Sequence, residues 1–336
     1  MIGIFAINAN SGTAMTTHKD RWILNWSKIN KNIDLIDNKF DFILAVQRWK
    51  GFGGKTNPSG YCYDASNFIS ALSSITKKIH LISTIHVPLV HPVMAARIFS
   101  TIDNINNGRT GLNIVCGWQK REFSMFDTKI VKPNEKFKQA TDWIKIFEKT
   151  MYSKRIFSFK SKYFNSMKVY DELAPKNKIF KISAAFSNEG KDFAIKNCDS
   201  LLTVFSSISS GRKIIKSLKS KKKSIKVILL CHVVCKKTDK EAIEYYNFYS
   251  SKKIDLKAVN NYINFLFEDK KNDNLKKILQ SQKEKIAAGL SSMPLIGNPN
   301  TIKNKIKELE SIGVDGLALS FVNYDNDVSY FAKNVL

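Results

Sequence analysis

The sequence predicts an α/β fold, a (β/α)8 TIM barrel with an insertion before the last βα unit. Three observations predict it. Short β-branched runs recur along the 336 residues, and stretches with apolar residues at a period near 3.6 lie between them. The strand candidates are near-continuous apolar runs, as expected when helices bury both faces of a parallel sheet.

Taken in chain order, the strands are predicted at 2–7, 42–46, 79–86, 111–116, 180–184, 200–205, 225–234 and 314–321. The first runs into Asn8, Asn10, Ser11 and Gly12, residues that end a strand in a loop. Helical periodicity places helices at 22–36, 65–75, 93–105, 137–151, 191–197, 213–218, 242–249 and 301–312. The stretch 252–296 breaks the alternation. Helical pieces at 259–267 and 275–288 mix there with charge runs, which reads as an insertion and suits a lid. With no internal repeat and no linker, residues 1–336 read as one domain.

Composition excludes several classes. With 43% hydrophobic residues, 15 Gly and 7 Pro, the chain is neither collagen-like nor wholly disordered. No apolar stretch of about eighteen uncharged residues appears, so a membrane-spanning helix is excluded. The N-terminus lacks a basic leader and reads as a strand rather than a signal peptide. The five cysteines are odd in number and scattered, which argues against a disulfide framework and fits a reducing cytoplasm. The net charge of +25 comes from 47 Lys and only seven Arg, spread over nearly every segment. Nucleic-acid readers favour Arg for bidentate contacts. The dense run 213–226 reads as the end of a surface helix and its loop, so the excess is compositional and no nucleic-acid partner is expected.

In a barrel of this kind, chemistry sits in the loops after the C-terminal ends of the strands. Those loops hold Gln47, Arg48 and a Gly51-Phe52-Gly53-Gly54-Lys55-Thr56 run, then Thr84, His86 and His91, then Asn113, Cys116, Trp118 and Glu122, with His232 near the end of the seventh strand. The glycine run is no phosphate loop, because the required spacing puts Trp49 where Gly belongs. Cys231 and Cys235 share one strand face and His232 takes the other, so no metal site is expected. His86 and His91 lack the H-E-x-x-H arrangement of a zincin, and no G-x-S-x-G elbow exists. Asn113 stands out, because an amide at a barrel mouth must find hydrogen-bond partners.

The segment carrying Gly108, Arg109, Asn113, Ile114, Val115, Cys116, Gly117, Trp118 and Glu122 resembles the bacterial luciferase-like flavin monooxygenases. It is most similar to the branch with the alkanesulfonate, dimethylsulfone and pyrimidine monooxygenases. The glycine run after the second strand resembles the pyrimidine oxygenases in particular. Pro294 to Pro299 and Ile312 to Gly316 are similar to the last βα unit of that family.

The resemblance implies a barrel that takes reduced FMN (FMNH2) from a separate NAD(P)H:flavin reductase and uses O2 to oxygenate a small organosulfur or N-heterocyclic compound. It implies a homo-oligomer, a dimer or tetramer. By position, FMN contacts fall on Gln47, Arg48, Asn113, Glu122, Lys136, Phe137 and Ser187. The place where oxygen meets the flavin falls on Leu44, Thr84 and Asn113, an apolar floor beside two polar groups. Ser187, opening a helix, would hold the phosphate. Cys62 and His232 fall on the substrate side.

Departures from the family pattern narrow the choice. Lys136-Phe137 stands where the family has Arg-Tyr, so a guanidinium and a phenol are lost. Leu230 stands where the alkanesulfonate branch has Arg, which removes the partner of a sulfonate anion. An F420-dependent oxidoreductase on the same barrel is the alternative enzyme reading, and the Asn113 to Trp118 stretch argues against it. A basic nucleic-acid-binding protein is the alternative from another class. If the charge is compositional, duplex DNA will bind weakly, without sequence preference, and will be released steeply by salt in a filter-binding assay. A sequence-selective complex surviving moderate salt contradicts this.

Overall fold

The computed structural model describes residues 1–128, 131–132, 134–268 and 273–336. All eight predicted strands form. They are β1 (Ile2–Phe5), β2 (Phe42–Ala45), β3 (His80–His86), β4 (Thr110–Val115), β7 (Phe180–Ala184), β8 (Ser200–Thr203), β9 (Lys226–Cys235) and β11 (Gly316–Phe321). Between β4 and β7 a hairpin, β5 (Phe157–Lys160) with β6 (Asn165–Val169), stands apart from the main sheet. It was not predicted.

The main sheet runs β10-β9-β11-β1-β2-β3-β4-β7-β8, where β10 is Met293–Gly297, and β8 pairs back onto β9. All these pairings are parallel, so eight strands close into the predicted barrel. Strand β10 lies within the predicted insertion and was not foreseen. It pairs with Cys231–Cys235 of β9, beyond the residues that β8 uses, so β9 serves two neighbours along one edge.

Helices α1 (Trp26–Lys39), α2 (Ala65–Ile75), α3 (Pro92–Ile105), α5 (Lys136–Tyr152), α6 (Asn188–Asn197), α7 (Ile208–Lys221), α8 (Asp239–Asn247), α12 (Pro299–Ser311) and α13 (Asn326–Asn334) alternate with the strands. A short α4 (Lys120–Phe123) follows β4, and the insertion contributes α9 (Leu256–Leu266), α10 (Asp273–Ser281) and α11 (Lys283–Gly289). Residues 269–272 of the predicted insertion lie outside the described residues.

Boundaries differ from the prediction for local reasons. The first strand stops at Phe5 because Ala6 adopts a positive φ of 60°. The first helix starts at Trp26, where the Asn25 side chain accepts from the N–H of Lys28. Trp22, placed in that helix by its periodicity, instead donates its indole N–H to the Ile7 carbonyl at 2.9 Å and packs against Tyr324. The 213–226 run is, as predicted, the end of α7 followed by its loop and the start of β9.

Phe42, Leu44, Ile82, Ile182, Leu202, Ile228, Leu230 and Ala318 fill the barrel interior. Their alternates, such as Ile43, Leu81, Leu112, Leu229 and Leu319, face the surrounding helices. The sum is a sheet buried on both sides, which explains the unbroken apolar runs.

The Gly108-Arg109 pair lies at the closed end, before β4. The Arg109 guanidinium donates to the Asn106, Thr76 and Ile79 carbonyls and to the Thr76 hydroxyl, tying α2, α3 and β3 together. Beside it the fully buried Asp103 carboxylate accepts the N–H groups of Thr110, Lys176 and Asn177. The strongest part of the motif thus includes a structural lock. Asp103→Ala leaves three backbone donors unpaired and should lower stability by on the order of 3 kcal/mol, read as a shifted urea midpoint. An unchanged midpoint would contradict the lock.

Candidate active site

Alternation along the strands decides which side chains reach the barrel mouth. Continuing inward from Leu44, Ile82 and Leu230 gives Thr84 and His86 on β3 and His232 on β9. Asn113 on β4 lies in register with Thr84 and donates its Nδ2–H to the Thr84 hydroxyl at 3.0 Å. Thr84 in turn donates to the Ala45 carbonyl at 2.6 Å. Leu44, fully buried, is in register with Ile82, one interior layer below Thr84. The predicted trio Leu44, Thr84 and Asn113 is therefore one cluster at the C-terminal ends of β2, β3 and β4.

The loops after β2 and β4 meet over it. Glu122, fully buried on α4, accepts the N–H groups of Trp49 and Lys50 through Oε1 at 3.1 and 3.2 Å. Arg48 lies 3.8 Å from Glu122 Oε2, donates to Gln119 Oε1 at 3.3 Å, and covers the Trp118 ring with its guanidinium 4.6 Å from the centroid. The charge pair and the ring contact orient Arg48 without using up all its donors.

Four buried atoms on this side have no hydrogen-bond partner among the described residues: Asn113 Oδ1, His86 Nδ1, Gln119 Nε2 and Glu122 Oε2. An unpaired buried polar atom costs about 1–3 kcal/mol, so three of them around one mouth, beside a carboxylate oxygen that faces Arg48 at 3.8 Å, form a polar surface open to a further partner. His86 also packs edge-on to Phe123, and burial beside the Arg48 charge pushes its pKa down to about 3. Across the barrel, His232 keeps Nε2 unpaired, and burial pushes its pKa down to about 4.

A second cluster lies where β7 leads into α6. Ser187 caps α6, its hydroxyl accepting the Gly190 N–H at 3.2 Å. Phe137 packs against Phe193, and a Cβ on Gly190 would meet the Phe137 ring at 3.3 Å. Lys136 extends from the same turn, with its ammonium 5.0 Å from the Phe137 ring centroid. Phe137 and Ser187 thus meet at the N-terminus of α6, with Lys136 beside Phe137 at the start of α5.

Three predicted residues have local duties. Gln47 donates to Asp64 at 3.1 Å and accepts the Ala65 N–H at 2.6 Å, so both ends of its amide hold the start of α2. Cys62 sits among the Val46 and Tyr63 carbonyls and Asn8, and burial pushes its thiol up to about 12. His91 caps α3. Gln119 was missed, although it stands three residues before Glu122 in the motif. Ser292 and Tyr246, which touch His232, were missed because sixty residues separate Ser292 from it and nothing local marks either.

The insertion closes over the second loop. Asp255, the cap of α9, accepts both the N–H and the hydroxyl of Thr56, at 2.7 and 2.8 Å. Asn261 donates to the Phe52 carbonyl at 2.8 Å, and Tyr262 packs on Phe52 and Trp118. Gly54, at φ +78°, leaves no space for a side chain, since a Cβ there would lie 2.3 Å from Asp255 Oδ1. The glycine run is therefore the seat of α9.

Both mouth histidines bind protons more readily in the unfolded chain, whose imidazoles titrate near 6.5. Their stabilising effect is complete above that pH and is lost as pH falls toward about 4 for His232 and about 3 for His86. The urea midpoint should drop between pH 7 and pH 5, and His86→Gln should make that drop smaller. Equal drops in both proteins would contradict buried neutral His86.

Residues 1–316 match the family of luciferase-like monooxygenases. The pyrimidine monooxygenase RutA of Acinetobacter baylyi is 23% identical over 350 residues, covering 99% of this chain and 93% of the relative. A riboflavin lyase, RcaE, solved with modified FMN and riboflavin, superposes with a TM-score of 0.86 at 17% identity, over 99% of this chain and 90% of that one. DmoA from Hyphomicrobium sulfonivorans gives 0.83 at 17% identity, over 100% and 86%. With the barrel, the strand-four motif and nearly the whole length in agreement, the chain belongs to the luciferase-like monooxygenase family.

Proposed function

We propose that this chain is a flavin-dependent monooxygenase that takes reduced FMN from a separate NAD(P)H:flavin reductase and oxygenates a small N-heterocycle of the pyrimidine type. The observation that carries the reading is the group of four buried atoms without hydrogen-bond partners among the described residues, on β3, β4 and the α4 turn, set beside the apolar Leu44.

Reduced FMN has an apolar ring face, a polar ring edge and a phosphate, and the residues present suit each part. Leu44 offers the apolar surface. Asn113 Oδ1, Gln119 Nε2 and Glu122 Oε2 offer an acceptor, a donor and a carboxylate to the ring edge. Lys136, Ser187 and the first N–H groups of α6 suit the phosphate. When bound, the group supplies the two electrons with which O2 is split between product and water. Thr84 holds Asn113 by its Nδ2, which leaves Oδ1 as the atom presented. Trp118, Phe52 and Tyr262 wall the loop side with rings and exclude water there. Gln47 stays with α2 and serves by holding the loop that carries Arg48.

An N-heterocycle is preferred over a sulfonate because Leu230 points into the apolar barrel interior, where a sulfonate would need a cation. The pyrimidine monooxygenases among the relatives support the same choice. The insertion, seated on the second loop through Thr56 and Phe52, suits a cover over the mouth.

With FMN, NADH, a purified flavin reductase and labelled 18O2, uracil should gain one labelled oxygen. Asn113→Ala should cut labelled product about tenfold, the worth of one buried hydrogen bond, with O2 diverted to hydrogen peroxide. Failure to bind reduced FMN, or an Asn113→Ala variant with unchanged product and unchanged hydrogen peroxide, would overturn the assignment.

A further inference from the structure

We infer that Ser292 is a positioning residue that holds His232 with its proton on Nε2, so that His232 presents an N–H donor to an acceptor oxygen bound in the barrel mouth. The inference rests on the reading of that mouth as the active site.

His232 is gripped from three sides by one stretch of chain and its neighbour. Its Nδ1 lies 2.9 Å from the Ser292 hydroxyl. Tyr246, on α8, stacks on the ring at 13° with centroids 5.9 Å apart. Gly289, the last residue of α11, abuts it so closely that a Cβ there would lie 2.7 Å from His232 Cβ. The chain reaches Ser292 through Leu290 and Ser291, both left-handed at φ 57° and 60°. Two successive residues of this kind without glycine are held only by surrounding structure, and such strain gathers at functional sites. Here the turn delivers one hydroxyl to one ring nitrogen.

The direction of that bond follows from counting unpaired groups. Ser292 is buried, and among the described residues its hydroxyl has one side-chain partner, Nδ1, while the Ser292 backbone also faces the ring and favours its charged form. If Nδ1 donated, the hydroxyl proton and the Nε2 lone pair would both be buried without partners. If the hydroxyl donates to Nδ1, only the Nε2–H remains, and that atom is the unpartnered one. His232 then acts as a donor and not as a base. The chemical class this suits is a ligand with a carbonyl or anionic oxygen. The Ser292 hydroxyl, at the foot of β10, also explains why the insertion ends in a strand paired to β9: the pairing Pro294 with His232 fixes the two segments in register.

The test is imidazole 15N–1H correlation NMR on the flavin-free chain with labelled histidine. There are five histidines, and His232 is assigned by its loss in His232→Gln. The expected spectrum has the Nε2–H tautomer alone for His232. Ser292→Ala should admit the Nδ1–H form and speed exchange of the Nε2 proton with water at least tenfold, while Ser292→Thr should restore the original signature. An Nδ1–H signal in the unaltered chain, or a Ser292→Ala spectrum identical to it, overturns the proposal. Should Ser292→Ala not fold, the tautomer in the unaltered chain and in Ser292→Thr decides the matter. A parallel titration with reduced FMN separates the two readings. Absent binding with the Nε2–H tautomer present counts against the flavin assignment alone.

Discussion

Closure of the barrel through β9 is the constraint on which the rest depends. This one ten-residue strand pairs with β8 at its start, with β10 at its end and with β11 along its other edge. Closure abolishes free edges for the eight barrel strands, and it forces each strand to send alternate side chains to one interior. A shift of one residue in β9 would send His232 to the helices and Cys231 to the mouth. Register is held by Ile228 and Leu230 inside and by Val227, Leu229 and Val233 outside.

From that constraint the two ends of the barrel take different characters. At the closed end, Asp103 and Arg109 find partners on several elements. At the open end, Asn113, His86, Gln119 and His232 each retain an atom with no hydrogen-bond partner among the described residues, and Glu122 Oε2 faces only the Arg48 charge at 3.8 Å. The contrast within one molecule matters more than any single orphan. Pairing at one end stabilises the scaffold, and its absence at the other leaves a preorganised polar surface that a ligand completes.

The fold was legible because its signal is physical and local. Strands such as 42–46 and 225–234 are apolar throughout since both faces are buried, and the helices between them keep a clean period. The hairpin of β5 and β6 escaped because its half-exposed Phe157–Lys160 segment has no apolar run, and β10 escaped because Pro294 and Gly297 break up a short strand. Within the site, Asn113 was legible as an amide ending an apolar strand. Gln47, expected to face a ligand, holds α2 instead, since a side chain's choice between a helix start and a ligand is settled by geometry that spacing does not carry. Ser292 was illegible for the same reason, reaching His232 only through the strained turn at Leu290 and Ser291.

Hydrogen–deuterium exchange with and without reduced FMN under anaerobic conditions distinguishes a ligand at the open end of the barrel from one at the closed end. Reduced FMN should slow exchange in segments 47–53, 113–123 and 185–191, at the open end, and leave 103–110 and 174–180, at the closed end, unchanged. Protection confined to the closed end, or binding without protection at 113–123, would contradict a site at the open end.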